Sequence, residues 1–378
     1  MSILNAALVS RKPMAAFAAI GVVWGAFMAC MPDLKDGLGV TDGAMGGLLL
    51  WGSVVAIVAM GLAPRLERVL GQWSLPIATA LMGLAMMLPA QMPGPLFFVL
   101  ALMAMGCSSG LTEVYMNARV GALEAQHGHS MMSVNHGAYS LAYALAAALV
   151  GVARASGVSA SAILSVAGLV VLVLALASFE RLVRRFRGAR GQARSKGGRI
   201  ALLVGGLTLI AFLSENATET WSALYIERDL GAAAGAGSFA PALVGLTMGF
   251  ARIAGQGLAG RVGDTTLLIG GLVTGGAGAL IVALAPGVAV AYAGFFVLGA
   301  GLALVVPTAF SIAGRLSTPE TRTAVIARAT MFGYGGFFLG PPLLGFVAQI
   351  SGLRFSYGLV AALSLAGVFL ALRLRRRP

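Results

Sequence analysis

Apolar runs of about 20 residues recur from residue 13 to residue 372 almost without a break, and that is the length a helix needs to cross a hydrocarbon core. The runs are continuous. They do not alternate every second residue, which excludes the strands of a membrane β-barrel. Of the 378 residues, 58% are hydrophobic and 10% charged, with a mean hydropathy of +0.90, more apolar surface than a water-soluble domain of this length can hide. The expected class is an all-α membrane protein. The 53 glycines fit it, because helices in lipid pack closely through small residues.

Bounding the runs by charge, Pro and Gly clusters predicts twelve spans, near 13–32, 44–63, 74–91, 94–118, 131–153, 157–179, 200–226, 239–260, 265–285, 289–314, 325–349 and 355–372. The first run follows Arg11 and Lys12 and lacks a small-residue cleavage site, so it reads as a span and not as a leader. The net charge of +13 does not imply nucleic acid, because the Arg residues punctuate apolar spans and do not gather on a soluble face. When the spans alternate in direction, 21 of the 26 Lys and Arg residues fall on one side. Lys35, Arg154, Arg228 and Arg354 fall in loops on the other side, and Arg252 lies inside a span. Since cytoplasmic loops carry the excess of Lys and Arg, both termini are expected in the cytoplasm and the chain in the inner (plasma) membrane. Residues 180–199, with eight basic residues, read as a cytoplasmic linker between six-helix domains at 1–179 and 200–378. Cys30 and Cys107 sit inside apolar runs and read as packing residues, not a disulfide.

The halves repeat. Gly61-Leu62-Ala63-Pro64-Arg65 returns as Gly257-Leu258-Ala259-Gly260-Arg261, an offset of 196 that also carries Arg119 onto Arg315 and Gly137 onto Gly333. Parallel repeats of six helices are the architecture in which a substrate site forms between halves near the midplane and opens to alternate sides. Such a repeat points to a transporter, not an enzyme, receptor or structural protein.

At these residues the chain resembles the major facilitator superfamily across essentially its whole length. The twelve spans, the central basic loop and the two Gly-Leu-Ala-x-Arg turns are similar to that superfamily's layout, which implies two pseudo-symmetric six-helix bundles and secondary transport. The pattern departs where the superfamily places an acid in the turn, since this chain has Pro64 in one half and Gly260 in the other. Arg65, Arg261, Arg119 and Arg315 remain as the gate residues that the resemblance implies. Four segments, Glu113–Ala118, His136–Ser140, Glu215–Tyr225 and Leu339–Gly345, resemble the YbjJ-like branch.

An ionisable side chain facing lipid costs at least a few kcal/mol, so those inside spans are functional candidates. Glu113, His136, Glu215, Glu219 and Arg252 are five such residues. Glu215 and Glu219 lie four apart on one helical face that Ser222 continues. Two carboxylates one turn apart repel when both are ionised, and a carboxyl that loads and releases a proton is what proton coupling requires. Glu113 shares a face with Asn117, and His136 lies at similar depth, an arrangement suited to a proton relay or to a polar brace. Arg252 needs an anion, either Glu215, Glu113 or an acidic solute, and an internal salt bridge is the simpler use.

Trp24 and Met28, four apart in the first span, together with Asn117, Asn216 and Arg252, are the expected solute contacts. Pro307, Pro341 and Pro342 interrupt backbone ladders and suit bent helices. Met28, Cys30 and Met31 are soft ligands of the kind that suit Cu(I), but the sulfur motifs that a copper-importing branch carries on spans seven and eight have no counterpart here. No bound metal and no cofactor is expected. Nor does a Walker loop or nucleophile elbow appear, so hydrolysis of nucleotide by this chain is not expected. The expectation is a monomeric secondary transporter moving a small polar solute by alternating access with protons, its partners being solute, protons and the bilayer. The alternatives are an efflux carrier for amphipathic compounds and a copper importer.

Overall fold

The computed structural model describes residues 3–129, 131–180, 198–317 and 319–375, and describes their side chains except at 3, 125, 133, 253, 255–261, 319–324, 326, 327 and 375. Most of the expected linker, 181–197, lies outside the described residues. Among the described residues, twelve long helices carry the fold. They are α1 (Arg11–Ala29), α2 (Asp42–Leu70), α3 (Ser74–Met86), α4 (Pro95–His127), α5 (Met132–Ala155), α6 (Ala160–Ala177), α7 (Gly198–Leu224), α8 (Phe239–Val262), α9 (Asp264–Ala283), α10 (Val288–Leu316), α11 (Pro319–Ser351) and α12 (Leu353–Arg375). Short helices at Ile3–Val9 and Met31–Leu38 flank α1, and a five-residue π turn, Tyr225–Asp229, extends α7.

Several helices outrun the spans read from hydropathy. α2 continues through Pro64 to Leu70, α4 reaches His127, and α11 begins at Pro319. Hydropathy marks the part of a helix that lies in hydrocarbon, whereas the helix itself ends where a cap stops it. Gly128, left-handed at φ 69°, stops α4 by this means.

The chain divides into two compact units. Unit 1 comprises Met1–Val40, Gly47–Ala189 and Ala233–Ala242; unit 2 comprises Thr41–Gly46, Arg190–Ala232 and Leu243–Pro378. The cut therefore departs from a simple division by halves, because the head of α2 counts with unit 2 and the head of α8 with unit 1. Inside the units the helix pairing repeats. α1 packs on α5, α3 on α4 and on α6, and α1 on α6; the matching pairs in unit 2 are α7 with α11, α9 with α10 and α12, and α7 with α12. The pairing obeys the register that the offset of 196 had marked.

Close approach explains much of the glycine content. A Cβ at Gly106 of α4 would collide with the Gly52 carbonyl of α2, and one at Gly340 of α11 would sit 2.6 Å from the Leu213 carbonyl of α7. The outer faces are apolar. Leu141, Leu145, Leu149 and Val152 form a stripe along α5 that is 57–62% exposed, and Val166, Leu169 and Val173 do the same on α6. Buried instead are Arg119, Arg154, Asn135, Glu219 and a series of Ser and Thr residues. Apolar outside with polar groups inside is the arrangement that hydrocarbon solvent demands. The fold is an all-α, multi-pass membrane protein of two pseudo-symmetric six-helix bundles.

Candidate functional site

α7 lies in an apolar stretch, Gly198–Asp229, long enough to cross a membrane, and its last turns carry Ser214, Glu215, Asn216, Thr218, Glu219, Thr220 and Ser222. Glu215 accepts a hydrogen bond from Arg252 Nη2 of α8 at 2.9 Å, the two side chains being 14% and 29% exposed. Glu219, one turn further on, is only 6% exposed. Asn216 is buried beside them, and its backbone carbonyl accepts the Thr220 hydroxyl at 2.8 Å. Thus Arg252 finds Glu215 of the three anions open to it from the sequence. In a low-dielectric setting this charge-assisted contact is far stronger than its surface equivalent.

The motif Glu215–Tyr225 and the motif Leu339–Gly345 meet. The Trp221 indole N–H donates to the Pro341 carbonyl at 3.0 Å, and a Cβ at Gly345 would lie 2.6 Å from Trp221 Cζ2. A fully buried tryptophan needs a partner for its N–H and a flat surface for its ring. α11 supplies the first at Pro341 and the second at Gly345. This contact holds the polar turns of α7 in place.

Unit 1 holds the other candidates. Asn117 turns its amide back on its own helix, donating to the Glu113 carbonyl at 2.8 Å, and both side chains are half-buried. His136 is exposed and meets the Phe17 ring edge-on, with centroids 5.0 Å apart. Trp24 is half-buried against Phe27, centroids 6.0 Å apart, whereas Met28, Cys30 and Met31 are all enclosed.

Arg119 is 2% exposed and donates to Ser74 Oγ at 3.1 Å, with Glu67 at 3.6 Å. Its repeat counterpart Arg315 is exposed and pairs with Asp264, which also accepts the Ser311 hydroxyl at 2.6 Å. The acids missing from positions 64 and 260 are therefore replaced by ones three and four residues downstream. Arg65 is exposed, and the side chain of Arg261 lies outside the described residues.

Two further clusters went unread in the sequence, where Arg154 and Arg228 pass for solvated loop charges. Arg154 ends α5 and is 5% exposed in unit 1. Its Nε donates to Asp33 at 2.7 Å, and its Nη1 donates to the Ala29 carbonyl at 3.2 Å and to Ser238 Oγ at 3.0 Å. In unit 2, Arg228 Nη1 donates to both oxygens of Asp42, at 2.7 and 2.8 Å, and its Nε to Asp229 at 2.6 Å. The same offset of 196 carries Asp33 onto Asp229 and Asp42 onto Ser238.

Comparison with known proteins agrees with this architecture. Residues 204–378 match the family model described as Major Facilitator Superfamily. Along most of its length the chain is 28% identical to an uncharacterized MFS-type transporter of Yersinia pestis, covering 93% of this chain and 91% of that one. It is also 28% identical to the membrane protein MosC of Rhizobium meliloti, covering 88% and 82%. Among solved structures, the nucleoside transporter NupG superposes with a TM-score of 0.78 at 14% identity, covering 97% of this chain and 99% of that one. A D-xylose–proton symporter superposes with a TM-score of 0.74 at 14% identity, covering 99% and 98%. The fold is that of the major facilitator superfamily.

Proposed function

We propose that the chain is a secondary active transporter that moves a small polar solute across the inner membrane by alternating access, coupled to protons, as a monomer with both termini cytoplasmic. The four motif segments support its placement in the YbjJ-like branch. One observation carries the reading. Within a single membrane-spanning stretch, Glu215 is ion-paired to Arg252 while a second carboxyl, Glu219, is buried one turn away. A bilayer admits such groups only at a cost, and a transport cycle gives them a use. Arg252 balances Glu215 and leaves Glu219 to load and release a proton.

Asn216 and Arg252 in unit 2, with Trp24, Met28 and Asn117 in unit 1, are the solute contacts of this reading. Glu113 and His136 form a second proton-handling pair, and Arg65, Arg119, Arg261 and Arg315 serve the gate. Two proteins sharing the fold carry a nucleoside and D-xylose, which makes hydroxylated solutes of that size the first to try.

The test uses purified protein in liposomes with a trapped pH dye and a panel of nucleosides and sugars. A substrate should change the internal pH, Glu219→Gln should abolish that change, and solute counterflow should survive in the same variant. Proton movement that persists undiminished in both Glu215→Gln and Glu219→Gln would refute the assignment.

A further inference from the structure

The inner face of α7 changes character along its length. Val204, Leu207 and Ala211 belong to the apolar core of unit 2, packed with Leu268, Leu272, Val305, Ala309 and Ala371. At helical spacing the same face continues as Ser214, Thr218 and Ser222, and then Tyr225. Ser214, Thr218 and Ser222 are each 0% exposed, and none of their hydroxyls has a hydrogen-bond partner among the described residues. Other hydroxyls of α7 are satisfied in the usual way, Thr220 on the Asn216 carbonyl and Thr208 on the Gly205 and Ala329 carbonyls.

α12 runs alongside. Ile210 Cδ1 lies near Gly367, and the Tyr225 and Tyr357 rings are 5.3 Å apart, so Ser214, Thr218 and Ser222 fall beside the stretch from Tyr357 to Gly367. Tyr357 and Ser364, seven apart on one face of α12, are also 0% exposed, and neither hydroxyl has a hydrogen-bond partner among the described residues. Five enclosed, unpaired hydroxyls on two neighbouring helices are too costly for a dry core, since each forfeits its solvation with nothing in return. The same groups suit water, which needs two to four polar partners and is routinely held by such sites.

We propose that the inward faces of α7 and α12 hold a file of bound water, anchored by Ser214, Thr218, Ser222, Tyr357 and Ser364, that serves as the proton path to Glu219. Glu219 adjoins Thr218 in sequence and precedes Ser222 by three residues, within side-chain reach on a helix. Each water or hydroxyl takes one proton and passes one on, so the file keeps its composition after a transfer to the carboxylate, and its members then rotate to restore their hydrogen-bond direction before the next. The path rests on the proton coupling proposed above; the water does not.

The two parts are tested separately. Radiolysis of the intact protein generates hydroxyl radicals from bound water and should label Tyr357, despite its burial, as fast as exposed tyrosines; a Tyr357 that stays unlabelled overturns the hydration. Thr218→Val and Tyr357→Phe should each lower the melting temperature by about 2–4 °C, because water loses an anchor, whereas a rise would mean that the seam is dry. In liposomes, Thr218→Val should slow solute-driven proton movement at least tenfold and leave counterflow intact. Unchanged proton movement overturns the path. Wild-type protein that moves solute without protons overturns coupling and path together, and the labelling and melting results still decide the water.

Discussion

Arg252 and Glu215 join α8 to α7 at 2.9 Å, and the carboxylate is the more enclosed partner, 14% exposed against 29% for the guanidinium. The asymmetry decides which deletion hurts. Arg252→Gln leaves a carboxylate in an apolar span, while Glu215→Gln leaves a cation that reaches more solvent. Arg252→Gln should cost about 1.5–3 kcal/mol and Glu215→Gln less, since a charged group keeps its desolvation penalty once its partner is gone. The double variant should recover part of the loss, because contacting residues couple. Thermal unfolding of the four proteins in one detergent measures this, and simple additivity would contradict the pairing.

The two arginines at the far ends of α5 and α7 are built the opposite way round. In unit 1 the Arg154 side chain is 2% exposed and Asp33 36%; in unit 2 Asp42 is 7% exposed and Arg228 39%. Removing the exposed partner strands the buried one, at a cost of up to about 3–5 kcal/mol. Asp33→Asn should therefore destabilise more than a surface acid substitution has any reason to, and so should Arg228→Gln. If both melt like the wild type, these contacts are ordinary surface pairs worth about 0–1 kcal/mol.

Small residues set the helix spacing at some glycines and not at others. Gly106→Ala drives a methyl group into the Gly52 carbonyl and should cost about 1–3 kcal/mol through a backbone shift. At Gly137 a Cβ would meet nothing within 4 Å, so Gly137→Ala should gain up to about 1 kcal/mol from helix propensity. Opposite shifts in melting temperature are the expected outcome. The contrast also qualifies the repeat, since the counterpart Gly333 is packed against Phe212 and Thr208.

The class and the helix number were legible because a chain in lipid must satisfy every backbone group within its own helices, which makes run length a direct signal. Glu215, Glu219 and Arg252 stood out for the same reason, as charges in apolar runs. Their pairing did not, because it depends on how α8 is rotated against α7. Arg154 and Arg228 were missed because a charge at the end of a run looks solvated. The chain that encloses Arg154 includes Ser238, 84 positions away, and Asp33, 121 away. The Ser214, Thr218 and Ser222 hydroxyls are silent in hydropathy, since a helix normally absorbs such groups on its own carbonyls. Glu67 and Asp264 lie outside the superfamily's position for the acid, and only the packing of α4 and α10 brings Arg119 and Arg315 to them.

Arg119 and Arg315 occupy equivalent positions in the repeat and should contribute unequally. Arg119 is enclosed, bonded to Ser74 Oγ at 3.1 Å and to the Gly71 carbonyl at 3.4 Å, so it braces the turn joining α2 to α3 from within. Arg315 is 62% exposed; its partner Asp264 opens α9, where the helix dipole and the Ser311 hydroxyl already favour the carboxylate. Arg119→Ala removes packing along the whole side chain as well as the contacts, and should cost about 3 kcal/mol or more. Arg315→Ala leaves Asp264, 5% exposed, with the Ser311 hydroxyl and the start of α9 still favouring its charge, so it should cost less, about 1–3 kcal/mol. Equal losses at the two positions, measured by thermal unfolding, would mean that the repeat preserves energetics as well as geometry, contrary to the burial seen here.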